Sequence, residues 1–327
     1  MSPTDPHCGQ IPPTADILEA IEAAAVDIAR RSGGELLRYF AEPLDVRFKS
    51  KRDKDPATDA DEAVERFVRA EVACRFPGHG VLGEEGADAD AGSAYLWVVD
   101  PLDGTANFAN GLPIFAVSIG ILYEGEPIVA ALYTTFGPDA RPCVMHARVG
   151  SALSIDESKW QPPQRDLSGR ARLSGVPAGF HHGFRFRLSQ GMPPGETRSL
   201  GSIAVELGLA ASGGLQYALF ASPKIWDVAA GVLLVQEAGG SVYTDRNGRW
   251  QQLRRFEAPP GRPLREWKQA VVAGDPAALG KIVPRARVRH TPVDILERLA
   301  GPVWTARTYN FVRRTKELLR RFGRLKA

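Results

Sequence analysis

The stretch that most narrows the folds open to this chain is WVVDPLDGTANF, residues 97 to 108. With the residues just before it, AYLWVVD reads as a strand apolar on both faces, which places it inside a sheet covered on both sides. The strand delivers Asp100 at its carboxyl end. Pro101 then fixes one backbone angle, and Asp103 returns its carboxylate toward the same side. Two acids held that close repel, so burying them together is unfavourable unless a cation neutralises them. Hard oxygen ligands at this density suit Mg2+. Gly104 permits close backbone approach and Thr105 opens a predicted helix, so exposed N–H groups would meet an anion such as phosphate beside the metal. Asp-Gly is also a common turn pair, and Asp103 reads equally well as an Asx-turn former.

Three further acidic stretches carry paired readings. LGEEG puts Glu84 and Glu85 at a turn after a short strand, where paired glutamates are usually solvated surface. DKDPATDADEAVE alternates acids like a calcium loop, but counting from Asp53 the sixth position is Thr58 rather than Gly and the twelfth is Val64 rather than Glu. Thr58-x-x-Asp61 before an apolar run is instead close to a capping box, and an Asp in a first helical turn still has an outer oxygen for a neighbouring hydroxyl. IWDVAAG sets Asp227 at a helix start, where capping is the default role. Bulky Trp226 before it, and Ala229, Ala230 and Gly231 after it, imply a tightly packed helix end that holds the carboxylate in one place.

A chain of 327 residues predicts one large layered domain or two lobes. Helical spacing predicts a first helix over residues 16 to 40, which the pair Gly33-Gly34 would kink or split. A second helix starts near Thr58 and buries Ala63, Val64, Phe67, Val68 and Val72. A hairpin turns at Glu124-Gly125, Gly137 to Arg198 reads as irregular with short strands, and DVAAGVLLVQEAGG reads as a largely buried helix. The hydrophobic runs are too short or interrupted to cross a bilayer, and MSPTDPHCGQIPPT lacks the pattern of a secretory signal, so it reads as a disordered lead-in. Cys8, Cys74 and Cys143 are odd in number and widely separated, which suits reduced thiols and a cytoplasmic location.

Taken together, Thr58-Asp-Ala-Asp61, Gly83-Glu-Glu85, Asp100-Pro-Leu-Asp-Gly-Thr105 with Asn107-Phe108, and Trp226-Asp-Val-Ala-Ala-Gly231 with Glu237-Ala-Gly-Gly240 resemble the inositol monophosphatase family in order and spacing, over roughly residues 16 to 280. The resemblance implies an α+β fold, a layered αβαβα sandwich, with a catalytic domain over 14–280. Its N-terminal metal-binding part would cover about 14–135 and its C-terminal α/β part about 136–280. It also implies Mg2+-dependent, lithium-sensitive hydrolysis of a small phosphorylated metabolite, and a homodimer. By the same resemblance Glu84, Asp100 and the Leu102 carbonyl would hold one ion, and Asp100, Asp103 and Asp227 a second, with a third, weaker ion near Glu84. Gly104 and Thr105 would offer N–H groups to the phosphate. Thr105, oriented by Asp61, would help Glu84 place the attacking water. Arg198, Ser202 and Ala204 match a pocket-lining segment. An active-site lysine is expected at either Lys49 or Lys51. Phe220 stands where inositol-selective members of the family carry a glutamate, and a phenyl ring accepts no hydroxyl hydrogen bond. The alcohol therefore stays open between a small polyol or sugar phosphate, histidinol phosphate, fructose 1,6-bisphosphate and a 3′-phosphonucleotide. A non-catalytic scaffold is disfavoured, because it gains nothing from the repulsion among these acids.

The stretch from residue 281 to the end carries thirteen Lys or Arg against three acids, a net of +10 in a chain of net +3, so the rest carries −7. An acidic body is a poor nucleic-acid surface. In the tail, Phe311, Val312, Thr315, Leu318, Leu319, Phe322 and Leu325 share one helical face with arginines largely opposite. That pattern suits docking on the acidic body of its own or a partner subunit, or peripheral contact with an anionic membrane.

Overall fold

The computed structural model describes residues 13–41, 46–48, 56–86, 88, 93–162, 172–177, 183–186 and 195–288. The expected lead-in, both candidate lysines, Cys8 and the amphipathic tail lie outside the described residues, apart from the edges of the two terminal segments.

Helix α1 (Ala15–Phe40) starts at Thr14, whose hydroxyl caps the Ile17 N–H, and runs unbroken through Gly33 and Gly34. The expected split does not occur. The Tyr133 ring occupies the space a Gly33 side chain would need, so this glycine allows close packing on the sheet. A ribbon of β1 (Val46–Phe48) and β2 (Pro56–Thr58) leads into α2 (Asp59–Arg75), which buries Val64, Val68 and Val72 and half-buries Ala63 and Phe67.

Next come β3 (Gly80–Gly83), β4 (Tyr95–Asp103), α3 (Thr105–Ala109), β5 (Ala116–Tyr123), β6 (Glu126–Thr134), β7 (Cys143–Arg148), β8 (Ser154–Ile155) and β9 (Ser158–Lys159). Their seven strands pair in chain order as one sheet, parallel between β3 and β4 and antiparallel thereafter. The β5–β6 hairpin turns at Glu124-Gly125, both at positive φ.

Further along lie β10 (Leu173–Gly175), β11 (Phe184–Phe186), β12 (Glu196–Arg198), α4 (Ile203–Ala211), β13 (Tyr217–Phe220), α5 (Ile225–Glu237), β14 (Ser241–Arg246), β15 (Arg249–Gln252), β16 (Val271–Gly274), α6 (Pro276–Ile282) and β17 (Ala286–Val288). A second, six-stranded sheet has the order β12-β10-β13-β16-β14-β15, and β11 pairs with β17.

The alternation of side chains along the strands assembles these parts into five layers. In β4, Tyr95, Trp97 and Val99 pack against α1 and α2, while Leu96 and Val98 face the opposite core, which holds α4 and α5. In β13, Ala218 and Phe220 face that same core, and Tyr217 and Leu219 pack with Ala278, Leu279 and Ile282 of α6. The result is the αβαβα sandwich. α5 is buried nearly all round, as a helix between two sheets must be. β7 to β9 carry the first sheet to Lys159, and β17, paired with β11, reaches Val288. No helix among the described residues is long and apolar enough to cross a membrane. Cys74 is exposed, Cys143 is buried, and both are free.

A buried ionic cluster ties α1 to β7. Glu22, 7% exposed, lies 2.7 Å from His146 Nδ1 and accepts from Arg148 Nη1 at 2.6 Å, while His146 Nε2 lies 2.8 Å from the Asp156 carbonyl. With an acceptor at each ring nitrogen, His146 is suited to the doubly protonated form. Burial works to raise the Glu22 pKa, but the hydrogen bonds from His146 and Arg148 outweigh it and hold the carboxyl below its usual range. Burial works to lower His146, but Glu22 and the Asp156 carbonyl carry it above its usual value.

Candidate active site

β4 ends at a register shift that shapes the site. Asp100 pairs with Ser118 of β5 and Asp103 with Ala116, so three steps on β4 span two on its partner. Residues three apart in a regular strand point to opposite faces. The extra residue is a bulge that returns the two acids to one face. Asp100 Oδ1 accepts from the Leu102 N–H at 3.0 Å, which closes the turn around Pro101. Gly104 follows with φ at +96°, a backbone state that disfavours a side chain, and α3 starts at Thr105. The Thr105 hydroxyl donates to the Leu102 carbonyl at 3.0 Å.

Asp103 is braced from the second half of the chain. Its Oδ2 accepts from Ser202 Oγ at 2.7 Å and from the Ala204 N–H, while Ser202 also caps α4 by accepting from the Val205 N–H. Asn107 Nδ2 donates to the carbonyls of Leu200 and Ile114, tying α3 to the segment that carries Ser202. α5 is brought in by Ser118 Oγ, which donates to the Trp226 carbonyl at 3.2 Å. Asp227 is the third residue of α5 and not its N-cap, which is Lys224. Its Oδ2 accepts from the Lys224 N–H at 2.7 Å. The expected N-cap is thus replaced by the carboxylate half of a capping box, because the helix begins at Ile225, four residues before its small-residue run.

The electrostatics are those of acids sharing one field. Burial first, then Glu84, Asp103, Asp227 and Asp61, push Asp100 well above the usual carboxylate range. Burial, then Asp103, push Asp227 up to about 8 despite its bond from Lys224. Asp103 is raised by burial to about 6, against the opposing bonds from Ser202, Ala204, Ile203 and Gly104. Asp61 is buried at 3% exposure, and Glu84 is half-buried. Among the described residues, no three His, Cys, Asp or Glu side chains close into a set that grips an ion directly. The tight convergence expected of the four acids is therefore met only in part. Asp103 turns one oxygen to Ser202 and Ala204, and Asp227 turns one to Lys224, which relieves their mutual repulsion. The donor set is oxygen throughout and rich in negative charge, a chemistry that fits Mg2+.

Three residues expected in the substrate pocket have the following surroundings. Arg198 is exposed on the edge strand β12 and pairs with Glu196 at 2.8 Å. The Ala204 N–H is committed to Asp103. Phe220, 3% exposed, packs in the core between the sheets. Two residues that sequence reasoning missed hold the turn that carries Glu84. Glu65, 3% exposed on α2, accepts from the Glu85 N–H through Oε2 and the Gly86 N–H through Oε1, both at 2.8 Å, and Arg69 Nε supports it at 2.8 Å. From the opposite end of the chain, Arg265 Nη2 donates to the carbonyls of Gly83 at 3.0 Å and Glu84 at 3.4 Å. Glu65 and Arg69 read in sequence as an ordinary i,i+4 surface pair. The glycines either side of Glu84-Glu85 were the available signal.

Residues 17–287 match the model of the inositol monophosphatase family. The chain belongs to that family. Its relatives include "Nus factor SuhB" of Xylella fastidiosa, 34% identical over 66% of this chain and 79% of that protein. "Inositol-1-monophosphatase" of Mesorhizobium japonicum is 34% identical over 68% and 84%. "Fructose-1,6-bisphosphatase/inositol-1-monophosphatase" of Aquifex aeolicus is 32% identical over 66% and 83%. Among solved structures, the extragenic suppressor protein suhB of Bartonella henselae superposes with a TM-score of 0.62 at 24% identity, covering 80% of this chain and 96% of that one. An IMPase of Thermotoga maritima gives 0.62 at 20% identity, over 81% and 96%. These superpositions agree with the five-layer fold. By family the chain is a phosphoric monoester hydrolase of a metal-dependent type.

Proposed function

We propose that this inositol monophosphatase family member is a Mg2+-dependent phosphomonoesterase acting on a small polyol or sugar phosphate. The observation that supports it is the raised proton affinity of Asp100 and Asp103 on β4 and of Asp227 on α5, brought into one field. Carboxylates whose charged forms burial and one another disfavour are carboxylates that a divalent cation stabilises. Glu84, Asp100 and the Leu102 carbonyl would hold one ion, and Asp100, Asp103 and Asp227 a second, with a weaker third near Glu84. Ions bound there would lower the pKa of a water and offset charge on the leaving oxygen.

The chain's own residues do the rest. Because the Thr105 hydroxyl donates to Leu102, its lone pairs are left to accept a hydrogen bond from a water whose proton would pass to Glu84, and for Asp61 to orient Thr105 the hydroxyl would turn its one proton from Leu102 to that carboxylate. The N–H groups of Gly104 and Thr105, at the start of α3, would be the phosphate donors, the Gly104 N–H being shared with Asp103. Phe220 provides no acceptor for a substrate hydroxyl, so selection of the alcohol falls to other residues. Histidinol phosphate, fructose 1,6-bisphosphate and a 3′-phosphonucleotide are the competing substrates.

Phosphate release from inositol 1-phosphate and these three compounds, with Mg2+, with chelator and with added lithium, tests the reading. Mg2+-dependent, lithium-inhibited release from at least one is expected, and the preferred alcohol names the substrate. Release that ignores chelation, or none from any of them with Mg2+, overturns the proposal. Light scattering on the same preparation tests the expected homodimer.

A further inference from the structure

The turn after β3 has two unrelated side chains holding four consecutive residues. Glu65 accepts from the N–H groups of Glu85 and Gly86, and Arg265 donates to the carbonyls of Gly83 and Glu84. The Glu65 carboxyl fits between the two flanking glycines: a side-chain carbon on Gly83 or on Gly86 would lie 2.5 Å from it. Arg265 is itself fixed. Its Nε lies 3.7 Å from Asp88 Oδ1, and its guanidinium sits 5.8 Å from the centre of the Trp226 ring, one residue before Asp227.

We infer that Glu65 and Arg265 are positioning residues for Glu84, clamping its peptide from α2 on one side and from the loop before β16 on the other, and that Arg265 fixes the Glu84 turn relative to the Trp226-Asp227 end of α5. Neither side chain touches the reacting atoms in the proposed mechanism. Their effect runs through the backbone: Glu84 leaves the turn from a peptide whose carbonyl is held by Arg265 and whose following N–H is held by Glu65. Turns made of glycines and two glutamates have little packing of their own, so without the clamp the Glu84 carboxylate would sample many directions before meeting an ion. Groups that orient metal ligands typically change metal affinity by about 10- to 100-fold when removed.

The inference rests on the reading of Glu84 as a metal ligand, so the test separates the two. Mg2+ binding to the full chain, freed of metal beforehand, is measured by calorimetry for wild type, Glu65→Gln, Arg265→Met and the remote control Arg246→Met, each with a thermal melt. The expected result is a weakening of about tenfold in both clamp variants and none in the control, with hydrolysis recovering at saturating Mg2+. Arg265 is about one-third exposed, so Arg265→Met keeps the test intact if Glu65→Gln fails to fold. Unchanged Mg2+ affinity in Arg265→Met, with or without a lower melting point, would overturn the positioning role alone. A wild type that binds no Mg2+ would overturn the metal reading, and the clamp with it.

Discussion

Replacing Glu22 by Gln isolates the ionic cluster between α1 and β7, which lies three strands across the first sheet from Val99 of β4. Glu22 and His146 are 10% and 15% exposed at the side chain, so their pairing counts as buried, while Arg148 at 34% is partly screened by solvent. Breaking a buried pair costs about 3–5 kcal/mol, and discounting the Arg148 arm leaves about 3 kcal/mol at a pH where both partners are charged. The sign follows from the two shifts. Glu22 is lowered from 4.5, so its contribution is complete above that value and is lost as pH falls through the folded pKa. His146 is raised from 6.5, so its contribution is complete below that value and is lost as pH rises through the folded pKa. The cluster is therefore strongest between 4.5 and 6.5. Urea unfolding of wild type and Glu22→Gln at about pH 5.5 and about pH 8.5 should show the loss falling from about 3 to about 1–2 kcal/mol, as only the Arg148 bond stays charge-assisted. An equal loss at both pH values would refute the ionic coupling of Glu22 to His146.

Other variants probe the site. Asp103→Asn removes a repelling charge, so the metal-free protein should gain about 1 kcal/mol in urea unfolding while calorimetric Mg2+ binding falls steeply. Gly104→Ala forces a side chain into a left-handed backbone, with its carbon 2.9 Å from the Ile114 carbonyl oxygen. A loss of at least about 1–2 kcal/mol in the same assay is expected, with reduced phosphate release. Phe220→Glu should destabilise by about 3 kcal/mol or more and leave inositol phosphate turnover no better, because the new carboxylate enters the core between the sheets. Improved inositol 1-phosphate turnover in a stable variant would show that position 220 faces the substrate.

The helices and the interior strand β4 were legible because periodicity is a local property. Val64, Val68 and Val72 recur on one face of α2, and Trp97 and Val99 alternate with Leu96 and Val98 whatever lies around them. The region from Gly137 on was opaque for the opposite reason. β7 carries a polar His146 whose partner Glu22 lies 124 residues away, so no window of sequence explains a histidine inside that strand. At the site, the acids themselves were readable as motifs, but their supports were not. Glu65 and Arg265 act on the Glu84 turn from 20 and 181 residues away, and the brace on Asp103 comes from Ser202, 99 residues on. The burial of Phe220 was hidden for the same reason: which face of β13 meets the middle helices depends on the layer opposite, and not on the strand.

The odd residue between Asp100 and Asp103 makes segment length a matter of parity. Deleting one residue there, or adding one, would send one acid through the sheet to the greasy side against α1 and α2, whatever the chemistry of the residue removed or added. Single substitutions along this segment leave the count intact, whereas a one-residue indel flips it. Libraries aimed at a new substrate should therefore vary identity at 101 and 102 and hold spacing constant. A chimera that imports a link one residue shorter or longer should break the acid pair, because one of its two members leaves the shared face.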